Sequence, residues 1–89
     1  MDARLTADVL EDQLAVSLAR VLAVANREAQ HRGVDAAESF ITISQRSSNG
    51  DVIWRVNYSA KDAVSRRGGD LIVDVDGRDA TIQQVLRGQ

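Results

Sequence analysis

Apolar residues in the first third of the chain recur at steps of three and four, and a helix over 8–32 places them on one stripe. Asp8 and Glu11 have the spacing of a capping box, with Thr6 as the alternative cap. Gly33 suits the left-handed position that ends a helix. The pattern predicts one long amphipathic helix, and its buried stripe is expected to be Leu14, Leu18, Val21, Leu22, Ala25 and Ala29.

The second half of the chain alternates apolar and polar residues, which is typical of strands with one buried face. The predicted strands are 39–45, 52–59, 70–76 and 81–87. The last of them breaks strict alternation, so a bulge and burial of both faces are both open alternatives.

Asn49-Gly50 lies between the first two strands and is the preferred two-residue type I′ hairpin turn. With this turn, Ile43 falls opposite Val56, on the face that also carries Trp54. Turn chemistry and hydrophobic pattern therefore predict the same register.

If the loop after the second strand closes symmetrically, Arg55 lies opposite Asp74, which predicts a cross-strand ion pair on the outer face. The predicted architecture is α+β: one long N-terminal helix packed on a four-stranded antiparallel β-meander, in a single domain over 1–89. The helix is expected on the face that carries Ile41, Ile43, Trp54, Val56, Leu71 and Val73.

Composition narrows the class of protein. Lys and Arg total 11 against 13 Asp and Glu, and a net charge of -2 lacks the basic footprint of a nucleic-acid-binding protein. There is no cysteine, which excludes disulfides and Cys-ligated metals. No apolar stretch typical of a signal peptide precedes the predicted helix, so we expect none, and no apolar run approaches the roughly 18 residues of a membrane span. We therefore expect a cytoplasmic chain with no nucleic-acid or membrane partner.

Phe40, Ile53 and Ile72 fall on the outer face of the predicted sheet. Together they predict a modest apolar patch, although scattered exposed apolar residues are common on any protein. Because a lone helix covers a sheet thinly in so small a chain, we expect the patch to be the interface of a homodimer.

Lys61, Arg66 and Arg67 lie in a loop that ends at Gly68 and Gly69. Guanidinium and backbone N–H groups of such a loop are suited to a phosphate or an acidic partner. A solvated loop is the alternative. We include Arg66 and Arg67 among the candidate interaction residues.

Asp70, Asp74, Asp76 and Asp79 cluster around one turn, either as cation ligands or as ordinary turn residues. Their spacing does not match a calcium loop, so we predict no metal. His31 is the only histidine. It lies in the last turn of the predicted helix, where its side chain suits the negative end of the helix dipole. With no triad-like signature nearby, we predict no catalytic residue and no cofactor.

Trp54 and Tyr58 share one strand face. They are suited to form the floor of a small-ligand pocket in the groove between helix and sheet. Core packing against Leu14, Leu18 and Leu22 is the alternative that we favour, because the aliphatic side chains leave little free volume.

The helix is followed by Trp54-Arg55-Val56-Asn57-Tyr58 and, after a loop, by Gly68-Gly69-Asp70-Leu71-Ile72-Val73-Asp74-Val75-Asp76-Gly77. This order resembles the cystatin-like layout, in particular small bacterial domains of the PepSY type and nuclear-transport-factor-like immunity proteins. The resemblance implies binding or inhibition of a protein partner rather than catalysis. We therefore expect a non-enzymatic protein-interaction module, with a small-ligand-binding protein as the alternative.

Overall fold

A computed structural model describes residues 7–61 and 70–88. One long helix packs on a four-stranded antiparallel sheet, which confirms the predicted α+β fold. The strands follow each other in the order β1-β2-β3-β4. The elements are α1 (Ala7–Leu10), α2 (Gln13–His31), a 3₁₀ turn (Ala36–Glu38), β1 (Ser39–Ser48), β2 (Asp51–Ala60), β3 (Leu71–Asp76) and β4 (Ile82–Arg87).

The long helix begins later than predicted. The segment 8–32 is divided between α1 and α2, and Asp12 caps the long helix instead of Asp8. The Asp12 carboxylate accepts hydrogen bonds from the backbone N–H of Leu14 at 2.9 Å and of Ala15 at 3.1 Å. Both aspartates have the chemistry of a cap, and the sequence pattern alone favoured the earlier one.

Leu14 was predicted in the buried stripe, and that was wrong, because 59% of its surface is exposed. Ser17 and Val21 already lie beside the turn that follows β3, so the residues before them extend past the end of the sheet. Thr6, the alternative cap, lies outside the described residues. The large apolar side chains exposed in this part are Val9, Leu10 and Leu14.

The end of α2 is as predicted. Gly33 has a φ of 80°, in the left-handed region. Its N–H bonds to the carbonyl of Gln30 at 3.0 Å, and the N–H of Val34 bonds to the carbonyl of Ala29 at 2.8 Å. This pair of bonds is a Schellman motif, which satisfies carbonyls that the helix leaves without partners and turns Val34 towards the core.

The core lies between α2 and the two central strands. Val21, Ala25 and Ala29 are the buried residues of α2, and Leu18 and Leu22 flank them in half-buried positions. Two alanines on this stripe let the helix backbone approach the sheet closely. The prediction that Trp54 and Tyr58 pack in the core is confirmed, although Leu14 is not among their partners. The buried sheet residues of the core are Trp54, Val56, Tyr58, Leu71, Val73 and Val75.

The hairpin between β1 and β2 has the predicted turn, with positive φ at Asn49 (53°) and Gly50 (85°). Ile43 lies opposite Val56, as predicted, and the ladder is unbroken from Ser39 to Ser48. Both strands run further towards the turn than the apolar pattern indicated, because Ser, Arg and Gln side chains on β1 obscure the alternation there.

The pairing of β2 with β3 also follows the predicted register, with Arg55 opposite Asp74. A register shift lies between Asp74 and Val75 where they face β4. The two alternatives for the last strand are therefore decided in favour of a bulge, which places Val85 and Ile82 together on the face towards the helix.

The position of the cap gives a direct test. We expect Asp12→Ala to lower the free energy of unfolding by about 1 kcal/mol, because two first-turn N–H groups lose their acceptor. The melting temperature should fall by roughly 4–8 °C in a domain of this size. Asp8→Ala is the matched control and should change it little; a larger loss from Asp8→Ala would place the effective cap where the sequence alone put it.

Candidate functional site

The face of the sheet opposite α2, the outer face, carries a polar cluster centred on Asp74 of β3. Arg55 of β2 donates to this carboxylate from Nε at 2.8 Å and from Nη2 at 2.9 Å. Gln84 of β4 donates at 3.1 Å, and Arg46 of β1 at 3.4 Å. We call Arg46, Arg55, Asp74 and Gln84 the Asp74 network. It has one member on each strand, and it contains the predicted Arg55–Asp74 pair.

The network keeps Asp74 ionised. Hydrogen bonds from Arg55 hold the pKa of Asp74 below its usual 3.8 against the opposing effect of desolvation. Asp74 in turn raises the pKa of the Arg55 guanidinium. Only 1% of the Asp74 side chain is exposed, whereas Arg46 is 53% exposed, so Arg55 supplies most of the electrostatic stabilisation.

This geometry makes Asp74 a structural group rather than a reactive one. Its Oδ2 accepts from Arg46, Arg55 and Gln84, and its Oδ1 accepts from Arg55. A carboxylate has about four lone-pair sites, so four donors leave little capacity for a substrate proton or a cation. The sequence analysis identified Arg55 but missed Arg46, which lies beyond the end of the predicted first strand. It also missed Gln84, because the bulge that brings Gln84 opposite Asp74 has no clear local signal.

Two other aspartates of the predicted acidic cluster form turn contacts. Asp76 accepts the backbone N–H of Arg78 at 2.7 Å. Asp79 accepts the hydroxyl of Thr81 at 2.7 Å, and that bond lowers the pKa of the Asp79 carboxyl. Both contacts are of the kind that makes aspartate a common turn residue.

Asp70 completes the cluster at the opposite end of β3. It accepts hydrogen bonds from Ser59 Oγ at 2.9 Å and from Asn57 Nδ2 at 3.3 Å. Asn57 Oδ1 is buried and has no hydrogen-bond partner among the described residues. Within the described part of the chain, no group of three or more His, Cys, Asp or Glu side chains is arranged to hold a metal ion.

The three apolar candidates of the outer face do not lie together. Phe40 is 61% exposed near the start of β1, whereas Ile53 is only 8% exposed. Ile72 is half-buried, and the row that contains Arg55 and Asp74 separates it from Ile53. Of the three, Phe40 is the one whose large side chain is mostly exposed to solvent.

Lys61 lies beside Phe40, with its Nζ 5.9 Å from the ring centroid. It also donates to the carbonyl of Ala37 at 3.4 Å. A cation over an aromatic face is a weak attraction at an exposed site. Arg66 and Arg67, the other candidates of the basic loop, lie outside the described residues, so their role stays a prediction.

An open cleft of about 470 Å³ lies beside the C-terminal half of α2. At its edge, Asn26 accepts a 2.7 Å hydrogen bond from the hydroxyl of Tyr58, and burial raises the pKa of Tyr58 to about 12. Near Trp54, where the less favoured alternative placed a ligand pocket, the cleft beside Gly77 holds only about 70 Å³. The larger cleft is lined by Asn26, Gln30, Gly33, Val34, Asp35 and Ala36.

His31 is the last residue of α2 and is exposed. Its neighbours Gln30 and Gly33 line the large cleft, but His31 is not one of the lining residues. The predicted position at the negative end of the helix dipole is therefore observed.

The edge of the sheet formed by β1 is poorly covered. None of its ten residues is buried, and eight are exposed. Phe40 on its outer face and Ile41 on its inner face are 61% and 37% exposed. Within 7–61 and 70–88, β2 is the one strand that pairs with β1, so its other edge carries free backbone groups.

The chain matches no protein-family model, and comparison with curated proteins and with solved structures finds no match of either kind. The resemblance to cystatin-like domains therefore stays a prediction. None of the helices in the described residues has the length and hydropathy that crossing a membrane requires.

The Asp74 network predicts a pH dependence. Because Arg55 lowers the pKa of Asp74 on folding, the ionised carboxylate stabilises the fold above its unfolded pKa, near 3.8. That contribution is lost as pH falls through the lower folded value. We expect Asp74→Asn to cost about 1–2 kcal/mol at neutral pH and to flatten the fall in stability between about pH 5 and about pH 2.

Urea unfolding at a series of pH values measures this effect. Asp51→Asn is the control, because Asp51 contacts Arg78 at 3.5 Å and the Arg78 side chain is 72% exposed. Exposed pairs of this kind contribute little, so the control should resemble the wild type. Parallel pH profiles for wild type and Asp74→Asn would contradict the role given to Asp74.

Proposed function

We propose that this chain is a small non-enzymatic protein-interaction module, an inhibitor or immunity-type binder that acts as a homodimer in the cytoplasm. The observation that carries the proposal is the exposure of β1, where an aromatic ring and a free backbone edge occur on one strand. The absence of cysteine is compatible with the compartment.

Phe40 supports the proposal through its side chain. Aromatic residues dominate the energetics of protein interfaces because a rigid ring buries a large area at a low entropic cost. An exposed ring flanked by Lys61 resembles an interface anchor with a polar rim.

The backbone of β1 supports the proposal independently. An extended segment of a partner gains main-chain hydrogen bonds by adding to a free sheet edge, and its alternate side chains then contact the two faces. Ile41 and Phe40 are placed to make those contacts, one on each face.

The side-chain contribution can be tested by affinity capture from a native lysate with tagged variants. We expect Phe40→Ala to weaken capture of a bound protein about 30-fold, the effect of losing a 2 kcal/mol hot spot. The melting temperature should hardly change, because Phe40 is exposed.

Leu86→Ala is the matched control. Leu86 is also an exposed apolar residue of the outer face, but it lies on β4 at the other edge of the sheet. Its loss should leave capture intact. If Phe40→Ala retains every protein that the wild type captures, Phe40 is not an anchor and the proposal loses its main support.

Small-ligand binding is the second candidate, and the cleft beside α2 favours it. Its volume of about 470 Å³ lies within the usual range for ligand sites, and Asn26 and Gln30 supply polar groups. The residues that form it come from the end of the helix and the turn that follows, so this site differs from the pocket over Trp54 that the sequence offered as an alternative.

A bulky substitution separates this candidate from the first. Gln30 is exposed and lines the cleft, so Gln30→Trp should fill it without disturbing the core. For a compound found by thermal-shift screening, we expect Gln30→Trp to abolish the stabilisation and Gln30→Ala to retain most of it. Equal stabilisation of both variants would place the compound elsewhere.

A further inference from the structure

We propose that a second copy of this chain pairs antiparallel with the free edge of β1, joining two four-stranded sheets into one. This inference rests on the proposed function and names the partner of that edge. It replaces the outer-face patch as the expected interface of the homodimer, because Phe40, Ile53 and Ile72 do not form one surface.

The first step concerns the backbone groups that β1 offers. The type I′ turn at Asn49-Gly50 makes Ser48 and Asp51 a hydrogen-bonded pair. Bonded and non-bonded pairs alternate along an antiparallel ladder. The odd-numbered residues of β1, from Ser39 to Ser47, therefore direct their N–H and C=O groups away from β2 and towards the free edge.

The second step compares the two edges of the sheet. Proteins protect exposed edges with short strands, bulges and proline. At the other edge, β4 has six residues and faces a register shift at Asp74/Val75. In contrast, β1 has ten residues and an unbroken register. An unprotected edge of this length is suited to another strand.

The third step is the register. With the twofold axis at Thr42, Ile41 of each copy lies opposite Ile43 of the other, so all four isoleucines pair with each other. Moving the axis by one residue pairs Ile41 with Gln45 or Ile43 with Ser39. The axis at Thr42 also forms about eight interchain backbone bonds, because the odd-numbered residues face each other.

The fourth step is charge. In the same register, Arg46 of one copy comes close to Glu38 of the other, the last residue of the 3₁₀ turn that leads into β1, and the twofold symmetry brings the two charges together twice. Both residues are exposed in the single chain. Phe40 falls opposite Ser44, a small side chain that leaves room for the ring. The strand β1, together with the residue that precedes it, is thus complementary to a second copy when the two pair antiparallel.

A single cysteine tests the register. The chain has no cysteine, so Thr42→Cys introduces one thiol per copy. At a non-hydrogen-bonded pair on the axis, the two Cα atoms are about 4.5 Å apart, within the range that a disulfide spans. Ser44→Cys on the same face is the matched control, because its two copies would lie roughly 14 Å apart.

Both variants are oxidised in a glutathione redox buffer and the covalent dimer is followed on non-reducing gels. We expect Thr42→Cys to form it at least roughly tenfold faster than Ser44→Cys. Both reduced variants and the wild type should sediment as dimers. Equal rates for the two thiols, or a wild type that stays monomeric at about 0.1 mM, would overturn the inference.

Glu38→Lys gives a second readout that needs no cysteine. The substitution brings a positive charge close to Arg46 of the other copy at both symmetric positions. We therefore expect the dimer dissociation constant to rise about tenfold, with a smaller rise for Glu38→Gln. Arg46 is a poorer choice, because it also contacts Asp74. If Glu38→Lys dimerises as tightly as the wild type, the charge pairing is wrong.

Failure of the β1-paired dimer can be distinguished from failure of the proposed function. A monomeric wild type that still captures a protein through Phe40 would refute the second copy and leave the interaction module standing. A β1-linked dimer that captures no other protein would support the second copy and refute the binder.

Discussion

The width of one helix is the constraint on which the rest of this structure depends. An α-helix is about 10 Å wide, and strands lie about 4.8 Å apart, so one helix covers roughly two strands. Here α2 lies over β2 and β3, and the buried residues of the sheet all belong to these two strands. The flanking strands have no buried residue. Ala25 and Ala29 strengthen this arrangement, because small side chains let the helix lie close to the central strands.

The outer face of the sheet is also uncovered, because no second layer packs on it within the described part of the chain. The Asp74 network stabilises this face with hydrogen bonds instead of hydrophobic burial. One carboxylate bonds to Arg55, Arg46 and Gln84, so side chains tie all four strands together across the face. The cost of burying Asp74 is offset by four donors, and that same saturation gives the carboxylate a structural role rather than a chemical one.

Features set by neighbouring residues could be predicted from the sequence. The turn at Asn49-Gly50 fixed its own conformation and, with it, the pairing of β1 and β2. The helix stripe from Leu18 to Ala29 followed from periodicity alone. These predictions succeeded because short-range geometry and the hydrophobic pattern agree there.

Features decided by tertiary contacts could not be predicted. The capping-box spacing favours Asp8, whereas the structure caps the long helix at Asp12, nearer to the part of α2 that packs on the sheet. Ala80 adopts a φ of 56°, an unusual conformation for a residue with a side chain, in the turn that leads to the bulge. Without the bulge the position of Gln84 was unknown, so the Asp74 network could be predicted only in its Arg55–Asp74 part.

The difference between the β1 edge and the β4 edge of the sheet also follows from the limited area that α2 covers. The type I′ turn allows β1 and β2 to pair over ten residues, further than α2 extends across the sheet. The residues of β1 nearest the turn therefore gain hydrogen bonds from β2 on one side but bury little surface. Most of these residues are polar. On the other edge, the bulge shortens the regular pairing of β4 and turns its apolar residues towards the helix. Among the described residues, the fold therefore protects the shorter edge of the sheet at β4 and leaves the longer edge at β1 open.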